Sequence, residues 1–140
     1  MKCVFCEIIA GRAPAYILYE SEKVIAFLDI NPVTSGHTLV VPREHIMRLD
    51  DIKDPSLMQE MMAAMIHLSR RMINRGICED FSVLQANGKW ANQSISHVHF
   101  HLIPRYEGDG VHLHFPKNMH DSRKENLQKI WQLMREENTQ

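Results

Sequence analysis

From His97 to Arg105 the chain reads His-Val-His-Phe-His-Leu-Ile-Pro-Arg, three imidazoles alternating with apolar residues at the period of a β-strand. Side chains at i, i+2 and i+4 share one face of a strand. The spacing therefore predicts that His97, His99 and His101 form a row of groups titrating near neutral pH, with Val98, Phe100 and Leu102 buried on the opposite face. Such a segment needs a sheet around it: a chemically active edge carried on an apolar anchor. A surface strand that merely happens to carry histidines would have no need of the strict alternation.

The rest of the chain is read against that demand. With 140 residues, 44% of them hydrophobic, one sizeable core can close. No repeat, low-complexity tract or Ser/Gly linker divides the sequence, so a single domain over residues 1–140 is expected, with its core in 1–105 and a variable extension over 106–140. Sixteen Lys and Arg against seventeen Asp and Glu leave almost no net charge. That balance argues against nucleic acid and against an acidic membrane surface, and any phosphate must be met locally. No apolar run approaches bilayer-spanning length, and Met1-Lys2-Cys3-Val4-Phe5-Cys6 is too soon interrupted by Glu7 to read as a signal peptide. A cytoplasmic protein is expected, in which three cysteines suggest a metal site, a redox pair or buried thiols rather than disulfides.

Ile17–Tyr19 and Val24–Leu28 read as a hairpin around Glu20-Ser21-Glu22-Lys23, and 37–41 as a strand stopped by Pro42. Asp54-Pro55 supplies an N-cap and a first-turn proline for a helix running to about Arg75 and closed by Gly76. Its apolar positions are unusually broad: Leu57, Met61, Met65, Leu68 and Met72 make one stripe, and Met58, Met62, Ile66 and Ile73 make a second. One stripe faces the sheet. The other implies a homodimer through this helix, or burial by the chain's own C-terminal segment. Residues 81–86 predict a further strand, 87–94 a polar loop and 95–103 the triad strand. Leu127, Ile130, Trp131 and Met134 mark a C-terminal helix. The expected class is α+β, an antiparallel sheet with one long helix across it. His37 and His67 read as packing residues, Cys78 as a buried thiol, His112 and His114 as surface strand histidines, and His120 as facing solvent.

The run His97-Val98-His99-Phe100-His101-Leu102-Ile103 resembles the His-φ-His-φ-His-φ-φ signature of the histidine-triad superfamily, zinc-binding bacterial branch, and Asn92-Gln93-Ser94 is similar to its Gly-Gln-Ser/Thr element. The likeness extends to Cys3–Gly11, Ala26-Phe27-Leu28-Asp29-Ile30, and Gly36–Pro42 followed by His45. It covers the chain from its start to about Arg105. Where the family commonly has Gly before Gln, this chain has Asn92, a residue that tolerates positive φ.

The resemblance implies a hydrolase acting at the α-phosphate of purine nucleoside phosphoramidates or dinucleoside polyphosphates. By that likeness His99 is the nucleophile, forming a nucleotidyl-imidazole that water resolves, and His101 donates to a phosphate oxygen or the leaving group. It implies that Gln93 and Ser94 bond phosphate oxygens, that Asp29 assisted by Asn87 accepts from the ribose hydroxyls, and that Phe27 and Ile30 sandwich the base. Two bland readings stand beside these: loop capping for Gln93 and Ser94, and a strand-ending turn for Asp29. Cys3-x-x-Cys6 on its own fits a redox motif, two buried thiols or half a zinc site. The resemblance offers His45 and His97 as the other two ligands, which would close a structural Zn2+ site. A nucleotide-sensing scaffold with little turnover is the alternative to the enzyme. Transfer to a sugar phosphate, which in the family goes with Gln at the third triad position, is disfavoured by His101.

Overall fold

Strands β1 (Ile17–Glu20), β2 (Val24–Leu28), β3 (Thr38–Pro42), β4 (Asp80–Gln85) and β5 (Phe100–Arg105) form one antiparallel sheet in the order β1-β2-β3-β5-β4. The computed structural model describes residues 3–113, 115 and 126–135. They belong to two compact units, 1–110 and 111–140, and the sheet lies wholly in the first. Helix α1 (Val4–Ile9) and helix α2 (Pro55–Asn74) complete that unit, with single 3-10 turns at Leu49–Asp51 and Lys89–Ala91.

Helix α2 begins and ends where its caps dictate. The Asp54 carboxylate accepts from the Ser56 amide at 2.9 Å, Pro55 opens the first turn, and the left-handed Gly76 (φ 72°) stops the last. Its first stripe, Leu57, Met61, Met65, Leu68 and Met72, is buried against Val24, Ala26, Val40, Phe100 and Leu102 on one face of the sheet. Burial of that many large side chains, at about 1.5–3 kcal/mol each, is the main cohesion of the fold. The other face carries Ile25, Phe27, Leu39 and Val41, and α1 covers it through Phe5, Ile8 and Ile9. That helix is absent from the sequence reading because six residues are too few to show a period.

The triad strand differs from the sequence reading. Residues 97–99 have no ladder partner: β3 meets β5 only from Val40↔Phe100 to Thr38↔Leu102, and Val98 N–H instead donates to the Ile46 carbonyl at 2.7 Å. The strand then continues through Pro104 to Arg105, past the expected end at residue 103. Pro104 pairs with Phe81 of β4, and its carbonyl accepts from Thr34 Oγ at 2.8 Å on the opposite side. The missing N–H of Pro104 points the same way as that carbonyl, beyond the end of β3, where no ladder acceptor waits.

The second unit contributes helix α3 (Leu127–Arg135). Its Trp131 ring carries the Arg135 guanidinium 4.3 Å from its centroid. His112 is exposed and not in a strand, contrary to expectation; His114 and His120 lie outside the described residues. No helix among the described residues is long and apolar enough to cross a membrane.

Candidate active site

The pairing Leu39↔His101 puts His101 on the α1 face of the sheet, and His99 follows on the same side, with ring centroids 4.9 Å apart. Both line a cavity of about 330 Å³. Val4, Phe5 and Ile8 of α1 form one wall, Phe27, Asp29 and Ile30 another, and Ser94 with Ile95 closes the side near the triad. Phe5 meets His97 and His99 edge-on at 5.7 and 5.2 Å, so α1 fixes the planes of two triad rings. The contribution of α1 was not anticipated.

Hydrogen bonds settle which nitrogen of each ring carries a proton. His99 Nδ1 lies 2.7 Å from the His97 carbonyl, which can only accept, so Nδ1 bears the hydrogen and Nε2 keeps its lone pair. In that tautomer the ring offers the Nε2 lone pair on the cavity side. His37, read from sequence as a packing residue, is in fact wired to the triad. Its Nδ1 accepts from the Val33 amide at 3.2 Å, so its Nε2 is protonated and donates to His101 Nδ1 at 2.8 Å. His101 in turn must carry its proton on Nε2. A backbone amide thus dictates, through two rings, that His101 offers a donor.

Asp29 stands beside this chain. Its Oδ2 is 3.6 Å from His37 Nε2, while Oδ1 accepts from Asn31 N–H at 2.9 Å and ends the strand, so the turn reading and a place on the cavity wall both hold. Burial pushes His101 down to about 4, with His99 and His37 adding to the shift. Burial also lowers His37 against the pull of Asp29. Both rings are neutral at pH 7. Asp29, His37 and His101 are close enough to suggest a cation site. A cation on His37 Nε2 would force a proton onto Nδ1, against the Val33 N–H, so the cluster reads as a proton chain.

The other expected residues are distributed unevenly. Gln93 does not line the cavity: its Oε1 accepts from Gly88 N–H at 2.7 Å, and its Nε2 donates to the Met47 and Ile95 carbonyls at 2.7 and 3.0 Å. Asn87 is likewise outside it, its Oδ1 accepting from Leu49 N–H at 2.8 Å and its amide bonded to Gln85. Both side chains hold the 87–94 loop. Phe27 is buried beneath the cavity with its ring edge-on to Phe5 at 5.4 Å, and Ile30 stands at the rim.

On the far side of Phe5, Cys3, Cys6, His45 and His97 converge, their ligand atoms all within 4.8 Å of one another. His97 Nε2 donates to the Pro42 carbonyl at 2.8 Å, leaving Nδ1 bare toward the other three. From it Cys3 Sγ is 3.4 Å, Cys6 Sγ 3.6 Å and His45 Nδ1 3.2 Å. Tetrahedral zinc with ordinary bond lengths would set N···N at about 3.4 Å and S···N at about 3.6 Å. The four groups could therefore hold a metal ion as they stand, the carbonyl behind His97 serving as its outer support.

Known proteins show the same arrangement of chain. The HIT domain matches residues 10–108. The chain is 39% identical over 115 residues to adenosine 5'-monophosphoramidase of Saccharomyces cerevisiae, covering 81% of this chain and 70% of that protein. A member of the HIT family from Bacillus subtilis superposes with a TM-score of 0.87 at 36% identity, covering 100% of this chain and 99% of the other. A Zn-bound histidine triad family protein from Mycobacterium smegmatis gives 0.73 at 33% identity, covering 98% and 99%. With the imidazole row, its sheet and its sequence all in agreement, the chain belongs to the HIT domain family of nucleotide hydrolases.

Proposed function

We propose that the chain hydrolyses purine nucleoside phosphoramidates or dinucleoside polyphosphates at the α-phosphorus. One observation carries the reading: the 2.7 Å bond from His99 Nδ1–H to the His97 carbonyl, which leaves Nε2 bare on a cavity also lined by Asp29 and Phe27. The His99 Nε2 lone pair forms a phosphorus–nitrogen bond as the bond to the leaving group breaks, and His101 Nε2–H hydrogen-bonds the departing atom, which takes its proton from solvent. Water then attacks the nucleotidyl-imidazole, its proton passing to solvent. The phosphorus–nitrogen electrons return to His99, and a nucleoside monophosphate departs. Asp29 accepts from the ribose, Phe27 and Ile30 bound the base, and Ser94 donates to a phosphate oxygen. Asn87 and Gln93 act by holding the loop that carries Ser94.

The yeast relative's name, an adenosine monophosphoramidase, supports the same chemistry. Cys3, Cys6, His45 and His97 would hold zinc, which with four protein ligands supplies a structural cross-link and no open position. We also infer a homodimer, because Met62, Ile66 and Ile73 on the outer stripe of α2 are 49%, 44% and 44% exposed.

The test is AMP release from adenosine phosphoramidate and from diadenosine tetraphosphate. His99→Ala should cost roughly a thousandfold or more in kcat while AMP still binds. Turnover within tenfold of wild type would remove the nucleophile, and AMP binding by wild type with turnover of neither compound would make the protein a nucleotide sensor.

A further inference from the structure

A second cavity, about 550 Å³, adjoins the first and shares Ser94 with it. Arg48, Lys89 and Asn92 line it, and no carboxylate does. We propose that it is a subsite for a polyanionic leaving group, the nucleoside polyphosphate released when a dinucleoside polyphosphate is cleaved. The inference rests on the hydrolase reading for the direction of attack: a phosphate chain anchored at His99 passes Ser94 and enters this cavity.

Three features fit it to phosphate. Lys89 has no ion-pair partner among the described residues. Arg48 is held by Asp50 through Nε at 2.9 Å, which partly offsets its charge but fixes the guanidinium and leaves its two terminal nitrogens. Nη1 lies against Gly88, where an added Cβ would come within 3.2 Å of it. Asn92 is left-handed at φ 65°, the one non-glycine residue with positive φ among those described. A small backbone cost is accepted there, and in return a carboxamide stands in the cavity where a glycine would leave nothing.

The loop is rigid enough to serve. Gln93 staples it to the Met47 and Ile95 carbonyls, and Asn92 N–H closes the Lys89–Ala91 turn on the Lys89 carbonyl at 3.1 Å. At its tip Trp90 is 95% exposed, with Lys89 Nζ 5.9 Å from its ring centroid. An indole that open to solvent, beside a phosphate-binding lysine, is a platform for the second base.

The experiment is calorimetric binding of AMP and of a methylene-bridged, non-hydrolysable diadenosine tetraphosphate. Lys89→Ala and Arg48→Ala should each raise the ratio of the dinucleotide Kd to the AMP Kd about tenfold, the loss of one charge-assisted hydrogen bond. Asn92→Gly, which relieves the backbone and cannot misfold it, should raise the ratio about threefold or more. Trp90→Ala should raise it for the dinucleotide and leave it unchanged when adenosine tetraphosphate, which lacks a second base, replaces it. Ratios within twofold of wild type in Lys89→Ala and Arg48→Ala, or equal weakening of both ligands, would overturn the subsite. If wild type binds the dinucleotide with the expected ratios but turns nothing over, the hydrolase reading fails and the subsite stands.

Discussion

Replacing His37 by Phe isolates the proton chain that ends at His101. The ring volume is kept, so the buried position, 3% exposed, stays filled. Two hydrogen bonds go: the 2.8 Å contact that holds His101 Nδ1 as an acceptor and the 3.2 Å contact that satisfies Val33 N–H. Val33 is 52% exposed, so water can take up its amide and the loss of stability is about 1 kcal/mol or less. For catalysis the loss is of orientation and tautomer. Without His37, His101 can carry its proton on Nδ1 and turn a lone pair toward the leaving group, which needs a donor. Loss of a positioned hydrogen-bond donor to the transition state is worth roughly 10²–10³ in rate. We therefore expect kcat for adenosine phosphoramidate hydrolysis to fall about a hundredfold or more with KM within a few-fold, because the groups that hold the nucleotide are untouched. His37 is also one cause of the low His101 value, so its removal should move the acid limb attributable to His101 upward. His37→Gln, whose amide offers an N–H, should recover part of the rate. A His37→Phe enzyme with kcat within threefold of wild type, or with KM changed alone, would refute the relay.

Purified protein should contain about one zinc per chain, and Cys3→Ser, Cys6→Ser or His97→Ala should lower zinc content and melting temperature together, as plasma emission and calorimetry would show, whereas His101→Ala should keep zinc and lose kcat. Met62→Glu or Ile66→Glu should sediment as monomer at micromolar concentration while wild type sediments as dimer. His101, held near 4 in the fold against an ordinary 6.5, takes up its proton more readily when unfolded. Its contribution to stability is therefore complete above pH 6.5 and lost as pH falls toward 4. Urea titrations should show wild type losing on the order of 2 kcal/mol more than His101→Gln over that window.

The sequence carried the parts of this molecule that depend on local chemistry. Asp54-Pro55 and Gly76 marked both ends of α2, and the first stripe of α2 lies against the sheet as its spacing requires. Other features depend on register. His37 reaches His101 because Leu39 pairs with His101 across β3 and β5, a relation between residues sixty-four positions apart that no local pattern encodes. The same holds for Gln93, whose amide is consumed by Met47 and Ile95 once the loop folds. Residues 97–99 kept the alternation of a strand without its ladder, because Ile46, Pro42 and the imidazole bonds hold them in its stead.

Helix α1 belongs to two sites at once. Cys3 and Cys6 bracket its first turn among the four convergent ligands, and Val4, Phe5 and Ile8 of the same turns wall the cavity beside His99. A ligand in the cavity therefore orders the same six residues that an ion between the cysteines orders. By thermodynamic linkage each changes the other's affinity by one and the same factor: if zinc tightens AMP binding tenfold, AMP tightens zinc binding tenfold. If zinc fills that site, its removal should weaken AMP binding before it melts the fold, since the large core between α2 and the sheet is built without it.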